Sequence, residues 1–193
     1  MNNQPIAESS PIVRKVAPPT SREDAGVSLQ PVQKREVVLS VQAESLDNTR
    51  KRATVRSEQP NGSTFEIICD EGDYLGGDDT APPPLAYFSA SLAFCLLTQL
   101  SRYAAIKKLK IDLIQLSQET RFSMEGSALK GTLAGNGVKV VTQVDIESNE
   151  PEDVIRTMVE VGENSCFAMQ SVVHPVPTEM RVNLNGSPLD IDC

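Results

Sequence analysis

The chain predicts an α+β fold, with antiparallel sheets around a long buried central helix. Three observations carry this. Alternating, β-branched segments separated by turn residues occupy two stretches, residues 35–69 and 107–147. Between them, from Gly76 to Arg102, runs GGDDTAPPPLAYFSASLAFCLLTQLSR, which holds the longest apolar run of the chain. Two further helical patterns and a last strand follow, so the order reads βββ-α-ββ-α-α-β.

Residues 1–34 contain Pro5, Pro11, Pro18, Pro19 and Pro31, scattered Ser and few large apolar side chains. They read as an N-terminal extended arm, either a disordered tail or a segment ordered against the body or a partner chain. The domain proper spans 35–193. Its first strand is REVVLSVQAE, and Leu46-Asp47-Asn48-Thr49 turns the chain. ATVRSE is the second strand, Pro60-Asn61-Gly62-Ser63 the next turn, and Phe65 to Cys69 the third strand. The acidic, Gly-containing segment from Asp70 to Asp79 reads as a solvated loop; it lacks the ligand spacing and closing Glu of a calcium-binding loop.

Pro84 suits a first helical turn, where no backbone N–H is required. The helix should run to about Ala105 and, being apolar nearly all round, should be central and buried. KLKIDLIQLSQETRF is a long strand, Gly135-Asn136-Gly137 marks a hairpin turn, and VKVVTQVDIE returns. Ser148 to Pro151 opens a helix with Val154, Ile155, Met158, Val159 and Val161 on one side, and Gly162 is its natural stop. Asn164 and Ser165 can cap a short helix whose first turn holds Cys166. TEMRVNLNG is the last strand.

A net charge of −8 argues against a nucleic-acid or anionic-membrane binder, since both need a basic face. The apolar run carries Ser89, Ser91 and Gln99 and is shorter than a bilayer span, so a soluble, non-membrane protein is expected. The start MNNQPIAESSPIV lacks a charged segment followed by an apolar core, so a cytoplasmic location with reduced thiols is expected. With one histidine, His174, and no CxxC pair, neither a metal nor a cofactor site is expected. His174 precedes Pro175 in a helix-exit loop, the setting of a surface or structural histidine. Four cysteines remain: Cys69, Cys95, Cys166 and Cys193. Cys69 and Cys193 read as structural or incidental. Cys166, near a helix N-terminus, would see unpaired N–H groups that favour thiolate. Cys95, mid-helix in an apolar run, needs a nearby cation or donor to react. From the residues alone, both also read as buried structural cysteines.

The segment LGGDDTAPPPLAYFSASLAFC resembles the signature of the OsmC/Ohr family, the osmotically inducible and organic-hydroperoxide-resistance proteins. The shared features are a Gly-rich loop, a proline at the helix start (Pro84) and a cysteine eleven residues on (Cys95). Cys166 in GENSCFAMQ matches the second family cysteine. The resemblance spans roughly residues 35 to 186. It implies an intertwined homodimer with sites at the subunit interface and a two-cysteine peroxidase. Cys95 would be peroxidatic and Cys166 resolving, an organic hydroperoxide the substrate and a dithiol the reductant, in oxidative stress defence. The sequence also departs from the pattern. Leu85 and Ala86 stand where active members carry an acid that orients an activating arginine, and Phe167 stands where a proline usually follows the second cysteine. Arg35, Arg50, Arg52 and Arg56 are all open as that arginine. The alternative expectation is a non-catalytic dimer binding a small hydrophobic ligand at its interface; a third is a structural assembly protein using the arm.

Overall fold

A computed structural model describes residues 11–20 and 36–191. Contacts divide the chain into two compact units, one ending at Tyr87 and one beginning at Phe88.

The first unit is a four-stranded antiparallel sheet. Its strands are β1 (Val13–Ala17), β2 (Val38–Ser45), β3 (Lys51–Gln59) and β4 (Thr64–Cys69), in spatial order β1-β4-β3-β2. The central meander forms as its alternation predicts. Asp47 closes the β2–β3 turn by accepting from the Thr49 and Arg50 N–H groups at 3.0 and 2.8 Å. The Gly62 N–H donates to the Ser57 carbonyl at 3.0 Å and closes the β3–β4 turn. Strand β1 lies inside the predicted arm. It pairs Val13 with Ile67 and Lys15 with Phe65, and so covers the free edge of β4.

The predicted solvated loop after β4 is built on a buried acid. Asp70 has no solvent exposure. Its carboxylate accepts from the Thr80 hydroxyl at 2.7 Å, the Thr80 N–H at 3.1 Å and the Glu71 N–H at 2.9 Å. A buried carboxylate must be paired this way, because an unsatisfied charge is far too costly. The rest of the acidic segment stays largely at the surface, so the expectation fails at its first residue.

Helix α1 (Pro84–Lys107) begins at the predicted proline and runs two residues past the predicted end. From Phe88 on it belongs to the second unit, where Leu92, Leu96, Leu100 and Ala104 form its buried stripe. The expected burial on all sides is not seen within the chain: Phe94, on another face, is 68% exposed.

The stripe packs with a two-stranded antiparallel ribbon, β5 (Ile111–Glu125) and β6 (Ala134–Ser148). Two helices complete the unit, α2 (Glu152–Asn164) and α3 (Phe167–Val173). Its core comprises Leu96, Leu100, Ala104, Met158, Cys166 and Met169, with Ile114, Leu116, Val140, Val144 and Ile155 against it. A fully buried Leu contributes about 1.5–3 kcal/mol.

Three predicted boundaries move. Gly135, Asn136 and Gly137 are strand residues, paired with Met124, Ser123 and Phe122. The turn lies at Gly126 to Thr132 instead, because Gly126 (φ +103°) and Gly131 (φ +64°) supply the left-handed backbone the reversal needs. Gly162 does not stop α2. It lies within the helix, buried, where an added Cβ would come within 2.5 Å of Leu100 Cδ2. The last strand is a hairpin, β7 (Val182–Leu184) with β8 (Ser187–Leu189), turned at Asn185 and Gly186.

Candidate functional site

The second unit brings Cys95 and Cys166 together. Cys95 sits beside Leu96 on the shoulder of the buried stripe, half-buried and packed against the core. Cys166 is not in the first turn of α3 as predicted; it is the N-cap itself. α2 ends at Asn164, the chain passes through Ser165, and Cys166 turns to extended backbone (φ −79°, ψ 100°). Its Sγ accepts from the Met169 N–H at 3.5 Å, satisfying one orphan donor of the new helix. Its own N–H donates to the Glu163 carbonyl at 3.1 Å.

Electrostatics at Cys166 run against the thiolate expected from the sequence. Burial pushes the thiol up, and the Met169 N–H offsets this only in part. A hydrogen bond and charge interaction with Cys95 raise it further. Cys166 therefore holds its proton at neutral pH, close to the Cys95 thiol. In the native protein, iodoacetamide at pH 7.5 should alkylate Cys166 more slowly than the half-buried Cys69 or Cys95, as read by peptide mass spectrometry. Equal rates at Cys166 would contradict this burial.

The same unit holds a cavity of about 240 Å³, lined by neighbours of the two cysteines in sequence, Leu96 and Met169, but by neither cysteine itself. Leu96 and Leu100 of α1, Val140 and Val144 of β6, Val159 of α2 and Met169 of α3 make its apolar walls. Thr142 and Glu163 are its polar lining residues. Met169 both lines the cavity and donates its N–H to Cys166.

Behind Thr142 stands Gln118. Its Oε1 accepts from the Thr142 hydroxyl at 3.3 Å, and its Nε2 donates to the Ser89 carbonyl of α1 at 3.0 Å and the Thr120 hydroxyl at 3.3 Å. Neither Gln118 nor Thr142 stood out in the sequence, although one signal existed. They interrupt the inward-facing apolar rows Ile114-Leu116 and Val140-Val144 of alternating strands.

The remaining predicted residues lie elsewhere. Cys69 ends β4 in the first unit, half-buried. There the Tyr87 hydroxyl donates to the Ile68 carbonyl at 2.5 Å, and burial, with the nearby Cys69, pushes the phenol up. His174 is exposed at the end of α3, its N–H donating to the Gln170 carbonyl. Cys193 and Arg35 fall outside the described residues. Arg50, Arg52 and Arg56 each pair with a carboxylate of their own sheet: Asp47, Glu44 and Glu58. Among the described residues, no group of three His, Cys, Asp or Glu side chains stands ready to hold a metal ion.

A family model described as OsmC-like protein matches residues 76–181. Solved structures share the fold. An OsmC-like hydroperoxide resistance protein from Jannaschia sp. CCS1 is 20% identical, with a TM-score of 0.53 over 82% of this chain and 100% of that one. An organic hydroperoxide resistance protein from Elizabethkingia anophelis is 16% identical, with a TM-score of 0.51 over 74% and 93%. An OsmC-like protein from Mycoplasma pneumoniae is 17% identical, with a TM-score of 0.50 over 74% and 91%. The comparison with curated proteins finds no match.

Proposed function

Because the chain belongs to the OsmC-like protein family, we propose that it serves in peroxide defence, reducing organic hydroperoxides through Cys95 and Cys166. The observation that carries this is the nearness of the two thiols: Cys95 shifts the electrostatics at Cys166 and packs against the core to which Cys166 belongs. The half-buried Cys95 is the sulfur that meets substrate. Its thiolate attacks the terminal peroxide oxygen, the O–O bond breaks, and the alkoxide leaves as an alcohol after taking a proton. Cys95 becomes a sulfenic acid. Cys166, buried and protonated at rest, gives up its proton as its sulfur attacks the sulfenic sulfur; the S–O bond breaks, the proton joins the departing hydroxide as water, and a disulfide forms. An external dithiol reduces that disulfide and is itself oxidised, restoring both thiols.

Leu85 and Ala86 leave Cys95 without the acid that the resemblance leads one to expect. The reading includes a homodimer. Leu85 at 50%, Phe94 at 68% and Ile106 at 46% exposure leave apolar surface along α1 that a second copy would cover.

The test is consumption of tert-butyl hydroperoxide with dithiothreitol as reductant. Wild type should turn over, and Cys95→Ser should lose activity to background. No turnover by wild type, or equal turnover by Cys95→Ser, would sink the proposal. Sedimentation equilibrium checks the dimer, and a monomer at micromolar concentration would exclude it.

A further inference from the structure

We infer that the outer edge of β4 is a docking site for one extended basic segment and that its occupant is exchangeable: β1 of a second copy takes the place of the chain's own, so that two copies hold each other by their arms. This rests on the homodimer proposed above and is independent of the peroxide chemistry.

The edge reads its occupant. Residues facing each other across an antiparallel pair alternate between hydrogen-bonded and non-bonded pairs. The Ile68 N–H donates to the Ile12 carbonyl at 2.9 Å, which makes Arg14 and Glu66 a bonded pair and Val13 and Ile67 a non-bonded one. The charge sits on the bonded pair, where Arg14 Nε donates to Glu66 Oε1 at 2.9 Å. That hydrogen bond holds the Glu66 carboxyl below its usual range, against the effect of burial. Arg52, the other cation near it, is hydrogen-bonded to Glu44. Glu66 therefore calls for a guanidinium from the strand beside it. Residues 11–20 supply Arg14 and Lys15 and carry no acid, on a chain whose net charge is −8. The ends of the segment are set as well. Pro11 and Pro18 have no N–H and bracket the paired stretch. Beyond it, the Thr20 hydroxyl accepts from Asn61 Nδ2 at 2.9 Å, at the turn between β3 and β4.

The exchange follows from what holds β1 and from its tether. Backbone bonds and one ion pair hold the strand, with little burial: Val13, Arg14, Lys15 and Val16 are all exposed. Pairings of that kind open at low cost. Ala17, Thr64, Arg56 and Ser40 stand in one row across the sheet. The end of β1 thus lies three strand spacings, about 14 Å, from the beginning of β2. Twenty residues, 18–37, make that connection. Extended, they reach up to about 66–72 Å, so the tether does not confine the arm to its own sheet. Within a dimer, a linker of this length presents the arm to the second edge at up to about millimolar effective concentration. Every copy carries the same segment and the same edge, so own and partner strands compete with identical bonds.

The experiment co-expresses two full-length variants, Val13→Cys and Ile67→Cys, and oxidises the purified mixture with copper phenanthroline. A non-bonded pair brings its Cα atoms to about 4.5 Å, within reach of a disulfide. The two introduced thiols are on different chains. A peptide pair joined through positions 13 and 67, identified by mass spectrometry, therefore arises only from an arm docked on another copy. At least about a tenth of the chains should be joined. Arg14→Glu on the Val13→Cys chain should lower that yield about two- to fivefold, and Glu66→Arg on the Ile67→Cys chain should restore it. Lys15→Cys with Phe65→Cys, the next non-bonded pair, repeats the test should Ile67→Cys fail to fold. Sedimentation of the same mixture separates the two ideas. A dimer without the joined peptides overturns the exchange and leaves the dimer standing, and a monomer without them overturns both. A yield unmoved by Arg14→Glu overturns the reading of the segment by Glu66.

Discussion

Asp70→Ala is expected to destabilise the protein by about 3–5 kcal/mol, with Asp70→Asn clearly milder. The carboxylate is the common acceptor for donors far apart in sequence: the Thr80 hydroxyl and N–H, the Glu71 N–H and the Thr49 hydroxyl. Alanine leaves them facing a void in a place from which water is excluded. Each orphaned donor costs about 1–3 kcal/mol, partly recovered by local rearrangement. Asparagine keeps one oxygen and the shape. The same site gives the protein an acid limb. Burial alone would raise the Asp70 pKa, but those hydrogen bonds outweigh it and hold the value at about 2, below the ordinary 3.8. A group depressed in the folded state contributes stability that is fully present above its unfolded pKa. That contribution is lost as pH falls through the folded value, here between about 4 and about 2. Urea midpoints at pH 6 and pH 2.5 read this directly. Wild type should lose more stability than Asp70→Asn over that interval. Parallel losses would show that other carboxylates set the acid limit.

Leu100→Ala should cost about 3 kcal/mol, in the range for truncating a fully buried leucine. Leu100 is also the residue against which Gly162 lies, so the two positions should couple. Gly162→Ala alone places a methyl 2.5 Å from Leu100 Cδ2. The overlap costs about 1–3 kcal/mol, reduced by the better helix propensity of alanine. In the Leu100→Ala background the new methyl has room, and it fills part of the void. The double variant should be more stable than the sum of the single losses by about 1 kcal/mol or more. Chemical denaturation of the four proteins measures this cycle. Strict additivity would mean that Leu100 moves aside freely and that the glycine is not held by packing.

Elements defined by local pattern were legible in the sequence. The meander, the Pro84 start of α1, the long ribbon and the apolar side of α2 rest on periodicity or a single special residue. What failed depends on partners distant in the chain. β1 is five residues, flanked by prolines and carrying Arg14 and Lys15, and its partner β4 is some fifty residues away. No local pattern announces such a pairing. Asp70 looked like one of many acids because its donors include Thr49 and Thr80, on either side of it in the chain. The ribbon turn was assigned to Gly135-Asn136-Gly137 on composition, yet Gly126 and Gly131 are where the backbone goes left-handed. At the site, the cysteines were visible by type and spacing. Their electrostatics were not, since complete burial of Cys166 overrides the favourable end of a short helix. Gln118 and Thr142 escaped notice because a polar residue on an inward face becomes informative only once its neighbours are known.

The bond from Gln118 to the Ser89 carbonyl has a consequence for aim. A helix is a screw, and turning it by one residue rotates every side chain by about 100° and advances it about 1.5 Å. By holding one carbonyl of α1 against the ribbon, Gln118 sets the phase of that screw. Cys95 lies six residues further on, about 240° round and 9 Å along. At that phase it falls on the border between the packed face and the open one, where a sulfur can meet both an incoming molecule and a buried partner. Leu92 and Leu96 on either side of it lock the same setting. The bearing of the thiol is thus set jointly by the buried stripe of its own helix and by an amide on the facing ribbon.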